Sequence, residues 1–170
     1  MKQQLLIGCG LSREKRMTCD GIYEWDNLIT LDNNRNHAPH VLWNLMDMPL
    51  PFMENTFDEI HAYEVLEHTG AQGDYKFFFR QFEEFHRILK PGGHLLASVP
   101  SAKSPWAWGD PSHTRVITPE QLIFLSQKNY EQVGKTAMSD FRHIYKADFE
   151  SVLVDDDGKD TFHFILKAIK

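Results

Sequence analysis

Within the first 64 residues, four short apolar runs each close on glycine or a polar residue. This feature constrains the fold more than any other. Gln4-Leu5-Leu6-Ile7 stops at Gly8-Cys9-Gly10, and Asn27-Leu28-Ile29-Thr30-Leu31 stops at Asp32. His40-Val41-Leu42-Trp43 leads into Asn44, and Phe57 to Tyr63 leads into Glu64. Runs this short, bounded by glycine and polar residues, read as buried strands rather than helices. In open sheets built from such strands, ligands bind outside the carboxyl ends, where the strand order reverses. Gly8-Cys9-Gly10, Asp32, Asn44 and Glu64 fall at those ends.

The rest of the chain fits an α/β fold. Phe78, Phe82, Phe85 and Leu89 recur at three- and four-residue spacing, which predicts an amphipathic helix from Asp74 to Lys90, stopped by Pro91-Gly92-Gly93. His94 to Val99 reads as a fifth strand. Thr118-Pro119-Glu120 combines an N-cap threonine, a proline at the first helical position and an early acid, and predicts a helix running to about Lys128. Asp148 to Val154 and Thr161 to Ile169 form a hairpin, so the sheet is expected to be mostly parallel with a C-terminal antiparallel hairpin. The length suits one domain over residues 1–170. A net charge of −6 argues against broad binding to nucleic acid, which needs many cations facing phosphates. The two cysteines, Cys9 and Cys19, form no CxxC pair, so a reduced, cytoplasmic protein is expected. No run approaches the roughly 18 apolar residues of a membrane span, and the N-terminal apolar stretch is too short for a secretory signal.

With the strand ends in place, the chain resembles class I S-adenosylmethionine-dependent methyltransferases, whose fold is Rossmann-like. The resemblance rests on "LLIGCG", the acid Asp32, "PLPFMENTFDEIHAYEVLEH" and "FEEFHRILKPGGHLLASVPS", in that order, across roughly residues 4 to 101. It implies S-adenosylmethionine as cofactor. Gly8, Cys9 and Gly10 would form the loop against it, glycine allowing close backbone approach. Asp32, with Asn33 beside it, would accept the ribose hydroxyls; Asn44 and Leu45 would lie at the adenine edge. Ala62, through its backbone, and Glu64 would face the methionine part. An aspartate is more usual at Asn44, although an amide oxygen can also accept from an amino group. Two departures are larger. The family usually starts a long helix after its glycine loop, whereas Leu11 to Trp25 is polar and carries no helical stripe. The first strand begins almost at Met1, and residues 33–40 are too short for the usual helix there. These truncated helices predict a thinly covered sheet face, closed by a second copy in a homodimer. Arg13 would either meet the cofactor carboxylate or belong to a solvated charge run. Arg13 also stands where a dinucleotide G-x-G-x-x-G motif needs its third glycine, which argues against an NAD-type dehydrogenase.

The stretch "YEVLEH" concentrates acid–base chemistry. If helical, it puts Glu64, Glu67 and His68 on one face at i, i+3 and i+4. E-x-x-E-H is similar to two metal-using groups of this superfamily, small-RNA 2′-O-methyltransferases and ubiquinone-pathway O-methyltransferases. In the RNA group a further histidine joins from beyond the fifth strand, and "GDPSHTRVITPEQL" supplies His113. The resemblance thus implies a metal set of Glu64, Glu67, His68 and His113, suited to Mn²⁺, Fe²⁺, Co²⁺ or Zn²⁺ more than Mg²⁺. Without a metal, His68 or His113 would be the catalytic base beside Glu67, or the three would only order a helix start. Trp106 and Trp108 either stack on a ring or sugar substrate or close the core of their loop. The expected function is methyl transfer to oxygen on a small-molecule or carbohydrate-like acceptor. The rivals are a non-catalytic binding module of the same fold and an RNA methyltransferase.

Overall fold

The computed structural model describes residues 1–170. Four strands, β1 (Gln3–Ile7), β2 (Asn27–Asp32), β3 (Val41–Leu42) and β4 (Phe57–Tyr63), precede the long helix α1 (Tyr75–Ile88). Strand β5 (Leu89–Pro100) follows, then short helices α2 (Pro105–Gly109) and α3 (Pro119–Leu122), and the hairpin β6 (Asp148–Asp156) and β7 (Thr161–Ile169). The sheet order is β3-β2-β1-β4-β5-β7-β6. Strands β1 to β5 run parallel, and β7 and β6 close the far edge antiparallel. The chain steps outward from β1 to β3 and then returns to β4 on the other side of β1. The switch point therefore lies between the ends of β1 and β4, at Gly8 and Glu64. No helix is long and apolar enough to cross a membrane.

The expected helix at Asp74 is present and shorter by a turn. Asp74 caps it by accepting from the Phe77 N–H at 3.1 Å, and the Leu89 N–H closes it on the Phe85 carbonyl. Its inner stripe buries Phe79, Phe82, Phe85 and Ile88 against the sheet. Each such side chain contributes about 1.5–3 kcal/mol of transfer free energy. Pro91-Gly92-Gly93 does not separate helix from strand as expected. Leu89 already pairs with Phe57, and the ladder resumes at Glu59 and His94, so the Pro-Gly-Gly stretch is an excursion inside β5. A Cβ on Gly93 would lie 3.1 Å from each of three carbonyl oxygens, those of Phe57, Asp58 and Lys90. The helix predicted from Thr118 to about Lys128 is instead one α-turn, α3, followed by 3-10 turns at Ile123–Leu125 and Gln127–Gln132. Gln127 ends the regular path because its backbone and side chain bond Asp148 and the Ala147 carbonyl.

The two sheet faces differ. One carries a core of 27 buried residues, filled by α1, by Ile117, Leu122 and Leu125, and by Tyr145; the other has a cluster of 6. On that second face Leu6, Tyr63, Leu96 and Ile165 meet Cys9 and Met17, and no helix covers them. Residues 11–26 lie there as irregular chain, held by polar groups. Buried His61 contacts Glu59 Oε2 at 3.1 Å and the Tyr63 hydroxyl at 2.6 Å. That hydroxyl accepts the Met17 N–H at 3.1 Å, Lys15 Nζ sits 3.3 Å from Glu59, and Trp25 stands edge-on to His61. The thin face foreseen from the missing helix is thus covered in part by the chain's own polar loop.

Candidate functional site

The carboxyl ends of β1, β2 and β4 enclose a cleft of about 360 Å³. Of the residues expected at a cofactor, Gly8, Gly10, Asp32, Asn33, Asn44, Leu45 and Glu64 line it. Gly8 is required twice over. Its φ is +58°, and a Cβ there would stand 2.2 Å from Val65 Cγ2 in the loop after β4. The β1 and β4 ends therefore touch through a glycine. Asp32 Oδ2 accepts the Gly10 N–H at 2.9 Å and Oδ1 accepts the Asn34 N–H at 2.8 Å. Burial alone would raise this carboxyl; those two backbone N–H groups and His37 outweigh it and hold it below the usual range. It stands ionised at the cleft wall. Asn44 uses its side-chain oxygen on the Met46 N–H at 2.9 Å, leaving its amide N–H₂ and one lone pair.

Three expected cofactor residues are placed differently. Cys9 turns its side chain to the second face, with Leu6, Met17 and Tyr63, because adjacent residues leaving a strand alternate sides. Ala62 is fully buried in the main core, and its position in β4 pairs with both Ile7 and Ala97. Neither lines the cleft. Arg13 spends its guanidinium on backbone carbonyls, reaching Gly10 at 2.6 Å and His37 at 2.6 Å. It ties the glycine loop to the 3-10 turn Arg35–His37 in place of a long helix. His37, Trp43, Met46 and Thr69 also line the cleft and were not foreseen. His37 Nδ1 lies 3.1 Å from Asp32 Oδ1, and its position five residues after the strand-end acid was the available signal.

The premise that "YEVLEH" forms one helical face fails. Glu64 has a φ of +52°, Val65 is irregular, and only Leu66–His68 makes a 3-10 turn. Glu64 therefore faces the cofactor cleft and is outside the acid–histidine cluster. Glu67, His68 and His113 do converge, with one potential ligand atom from each lying within 4.8 Å of the others. Backbone bonds bring the distant segment in: the Thr114 N–H donates to the Glu67 carbonyl at 2.9 Å and the Arg115 N–H at 3.3 Å.

The chemistry of this cluster is unusually well defined. His68 Nδ1 lies 3.2 Å from the Ser112 carbonyl, and His113 Nδ1 lies 2.9 Å from the Trp106 carbonyl. A carbonyl oxygen only accepts, so each Nδ1 is the donor, and in the neutral imidazole each Nε2 presents a lone pair. Those Nε2 atoms stand 3.9 and 4.0 Å from Glu67 Oε1, and Asp110 Oδ2 is 3.8 Å from His113 Nε2. Both Glu67 carboxyl oxygens are buried without a hydrogen-bond partner. Burial, and then the neighbouring Glu64 and Asp110 charges, push this carboxyl up to about 8, against the pull of its own nearby backbone N–H and of Arg115. Orphaned acid oxygens and converging imidazole lone pairs fit a divalent cation.

The methyltransferase domain family matches residues 5–97, more than half of the chain. No curated protein matches the sequence. Among solved structures, an S-adenosylmethionine-dependent methyltransferase from Archaeoglobus fulgidus shares 15% identity over 98% of this chain and 86% of its own, with a TM-score of 0.60. The N-methyltransferase NodS from Bradyrhizobium japonicum, solved with S-adenosyl-L-homocysteine, shares 15% over 99% of this chain and 79% of its own, at 0.55. The [4+2]-cyclase SpnF shares 14% over 99% of this chain and 74% of its own, at 0.58. With the strand order, the glycine loop and the strand-end acid, the family match fixes the assignment: the chain belongs to the methyltransferase domain family of class I S-adenosylmethionine-dependent methyltransferases.

Proposed function

We propose that this chain methylates a hydroxyl on a small, ring-bearing acceptor, using Glu67, His68 and His113 to prepare the oxygen. The observation that carries this reading is the convergence of two imidazole Nε2 lone pairs on a buried, unpartnered carboxyl beside the cofactor cleft. His68 belongs to both the cleft wall and the cluster, which joins the two halves of the site. S-adenosylmethionine supplies the methyl group on a sulfonium, and in-line displacement leaves the protein chiefly the tasks of positioning and proton removal. Asp32, ionised and held by two backbone N–H groups, receives ribose hydroxyls, with His37 beside it. Trp106 and Trp108, exposed on the short helix just before His113, offer ring faces to the acceptor. The acidic balance of the chain favours an uncharged acceptor over RNA.

A divalent metal at Glu67, His68 and His113 would lower the pKa of an acceptor hydroxyl. The same residues without metal support a second reading, in which His68, partly open to solvent, takes the proton directly. Anomalous scattering from crystals soaked in Mn²⁺, paired with transfer assays in chelator, separates them. A peak among the three side chains and activity lost to chelator support the metal. An empty cluster with activity intact in chelator supports the histidine base. A second copy is proposed to cover what the polar loop leaves open of the second sheet face; Val152, Leu153 and Val154 on edge strand β6 are also exposed. Sedimentation at twice the monomer mass supports that, and monomer mass at high concentration opposes it.

A further inference from the structure

A second cavity, of about 170 Å³, lies between the start of α1 and the segment after His113, away from the cofactor cleft residues. Its walls are aromatic: Tyr75, Phe78 and Phe79 from α1, with Phe124 and Phe141 opposite. Apolar cavities of roughly 150 Å³ admit one benzene ring, so the size suits a single six-membered ring with a small substituent. The ring clusters within it are mutually edge-on or tilted, Phe79 with Phe141 at 4.9 Å and Phe124 with Phe141 at 5.5 Å, an arrangement that accepts another aromatic face.

The polar side chains of the cavity are Gln72, Asp74, Arg115 and Gln121, and Arg115 is the one cation among them. Arg115 is 6% exposed and lines the wall. It donates from Nε to the Leu66 carbonyl at 2.9 Å and from Nη2 to Thr69 Oγ1 at 3.0 Å and to Gln81 Oε1. Its remaining nitrogen, Nη1, makes no hydrogen bond to the protein. A buried guanidinium left with free donors in an aromatic cavity favours an anionic oxygen. On the rim, Gln72 spends its side-chain oxygen on the Val116 N–H at 2.8 Å and keeps its amide N–H₂ as a second donor. Asp74, also on the rim, caps α1 with Oδ1, and its charge also acts on Arg115, so an incoming carboxylate competes with it for the guanidinium. From these contacts we infer that the cavity is a binding site for a single-ring aromatic carboxylate, its ring among Phe78, Phe124 and Phe141 and its carboxylate on Arg115 Nη1.

The cavity is linked to the cluster at Glu67 through Arg115. Arg115 follows His113 by two residues, and its backbone N–H sits on the Glu67 carbonyl, so a bound ligand braces the segment that carries His113. The test is a titration of the intact chain with benzoate, with benzyl alcohol and cyclohexanecarboxylate alongside, followed by NMR of labelled phenylalanine and arginine. Benzoate is expected to give saturable shifts at Phe78, Phe124, Phe141 and Arg115, at least tenfold tighter than either control. Phe124→Trp, which fills the cavity, should weaken benzoate at least tenfold while thermal unfolding stays cooperative. Arg115→Gln, if its melting stays cooperative, should bring benzoate and benzyl alcohol to within about threefold of each other. No saturable shift with benzoate, equal affinity for benzyl alcohol in the wild type, or shifts confined to the cofactor cleft would each overturn the site. None of these readouts depends on methyl transfer, so failure here leaves the proposed activity standing.

Discussion

Gly8 shows how a single missing side chain sets the site. Its left-handed φ and the 2.2 Å approach of Val65 leave no room for a methyl group. Gly8→Ala should therefore cost on the order of 2–4 kcal/mol, from backbone strain and overpacking together. Urea unfolding would measure this, and a loss under about 0.5 kcal/mol would show that the two loops separate easily. Glu64 adopts a left-handed conformation without being glycine, and such strain gathers at functional sites. Glu67 carries the proposed proton chemistry. Glu67→Gln keeps the shape and removes the exchangeable acid proton, so turnover should fall about 10²-fold or more while cofactor affinity stays within about threefold. Kinetics and titration on the same preparation check the pair, and equal loss in both would make Glu67 structural. The acids, histidines and glycines were legible from residue type and spacing. His113 joined the cluster as expected, while Glu64 left it, because the backbone turns at Glu64 where a helix would have continued.

At the scale of elements, the irregular segment that stands in for a helix shapes the site. Residues 11–26 lie on the second face as irregular chain, yet they carry Arg13 to the glycine loop and to the turn after β2. Trp25 helps by donating its indole N–H to the Arg13 carbonyl at 2.5 Å. Lys15 anchors the segment with its ammonium buried against Glu59. Breaking a buried pair by removing one partner costs about 3–5 kcal/mol, less here because Lys2 also reaches Glu59. Lys15→Met should thus lower the urea midpoint and weaken the cofactor together. Weakened stability with cofactor affinity unchanged would separate the loop from the cleft. Sequence periodicity disclosed α1 and most strands. It could not disclose this cover, whose hold comes from partners far apart in the chain, such as Met17 with Tyr63 and Lys15 with Glu59. The helix expected after Thr118 failed for a related reason: a good N-terminal signal was outweighed by the contacts of Gln127 with β6.

For the whole molecule, the buried network on the second face gives stability a defined pH dependence. Burial alone would raise the Glu59 carboxyl, but bonds from His61, Lys2 and Gln4 and the Lys15 charge hold it far below the usual range. Its contribution is complete above the unfolded carboxylate pKa of about 4.3 and is lost as pH falls toward the folded value. Burial holds the His61 pKa down, against the pull of Glu59. The unfolded chain therefore binds more protons at this residue below about pH 6.5, which also lowers stability on acidification. Melting temperature should rise from about pH 2.5 to pH 6.5, and Glu59→Gln should flatten the part of that rise below about pH 4.3, leaving the His61 part above it. A profile unchanged in the variant would place the titration elsewhere.

The fold itself was legible because glycine and polar residues mark strand ends in order, and it hosts more than one chemistry: SpnF, a cyclase, shares it. The central claim is therefore tested at the cofactor cleft. Isothermal titration of the chain with S-adenosylmethionine should show one site, and Asp32→Ala should weaken it at least tenfold, since a charge-assisted hydrogen bond to hydroxyl is worth about 1.5–3 kcal/mol. No heat of binding in the wild type, or the same affinity after Asp32→Ala, would contradict the placement of the cofactor.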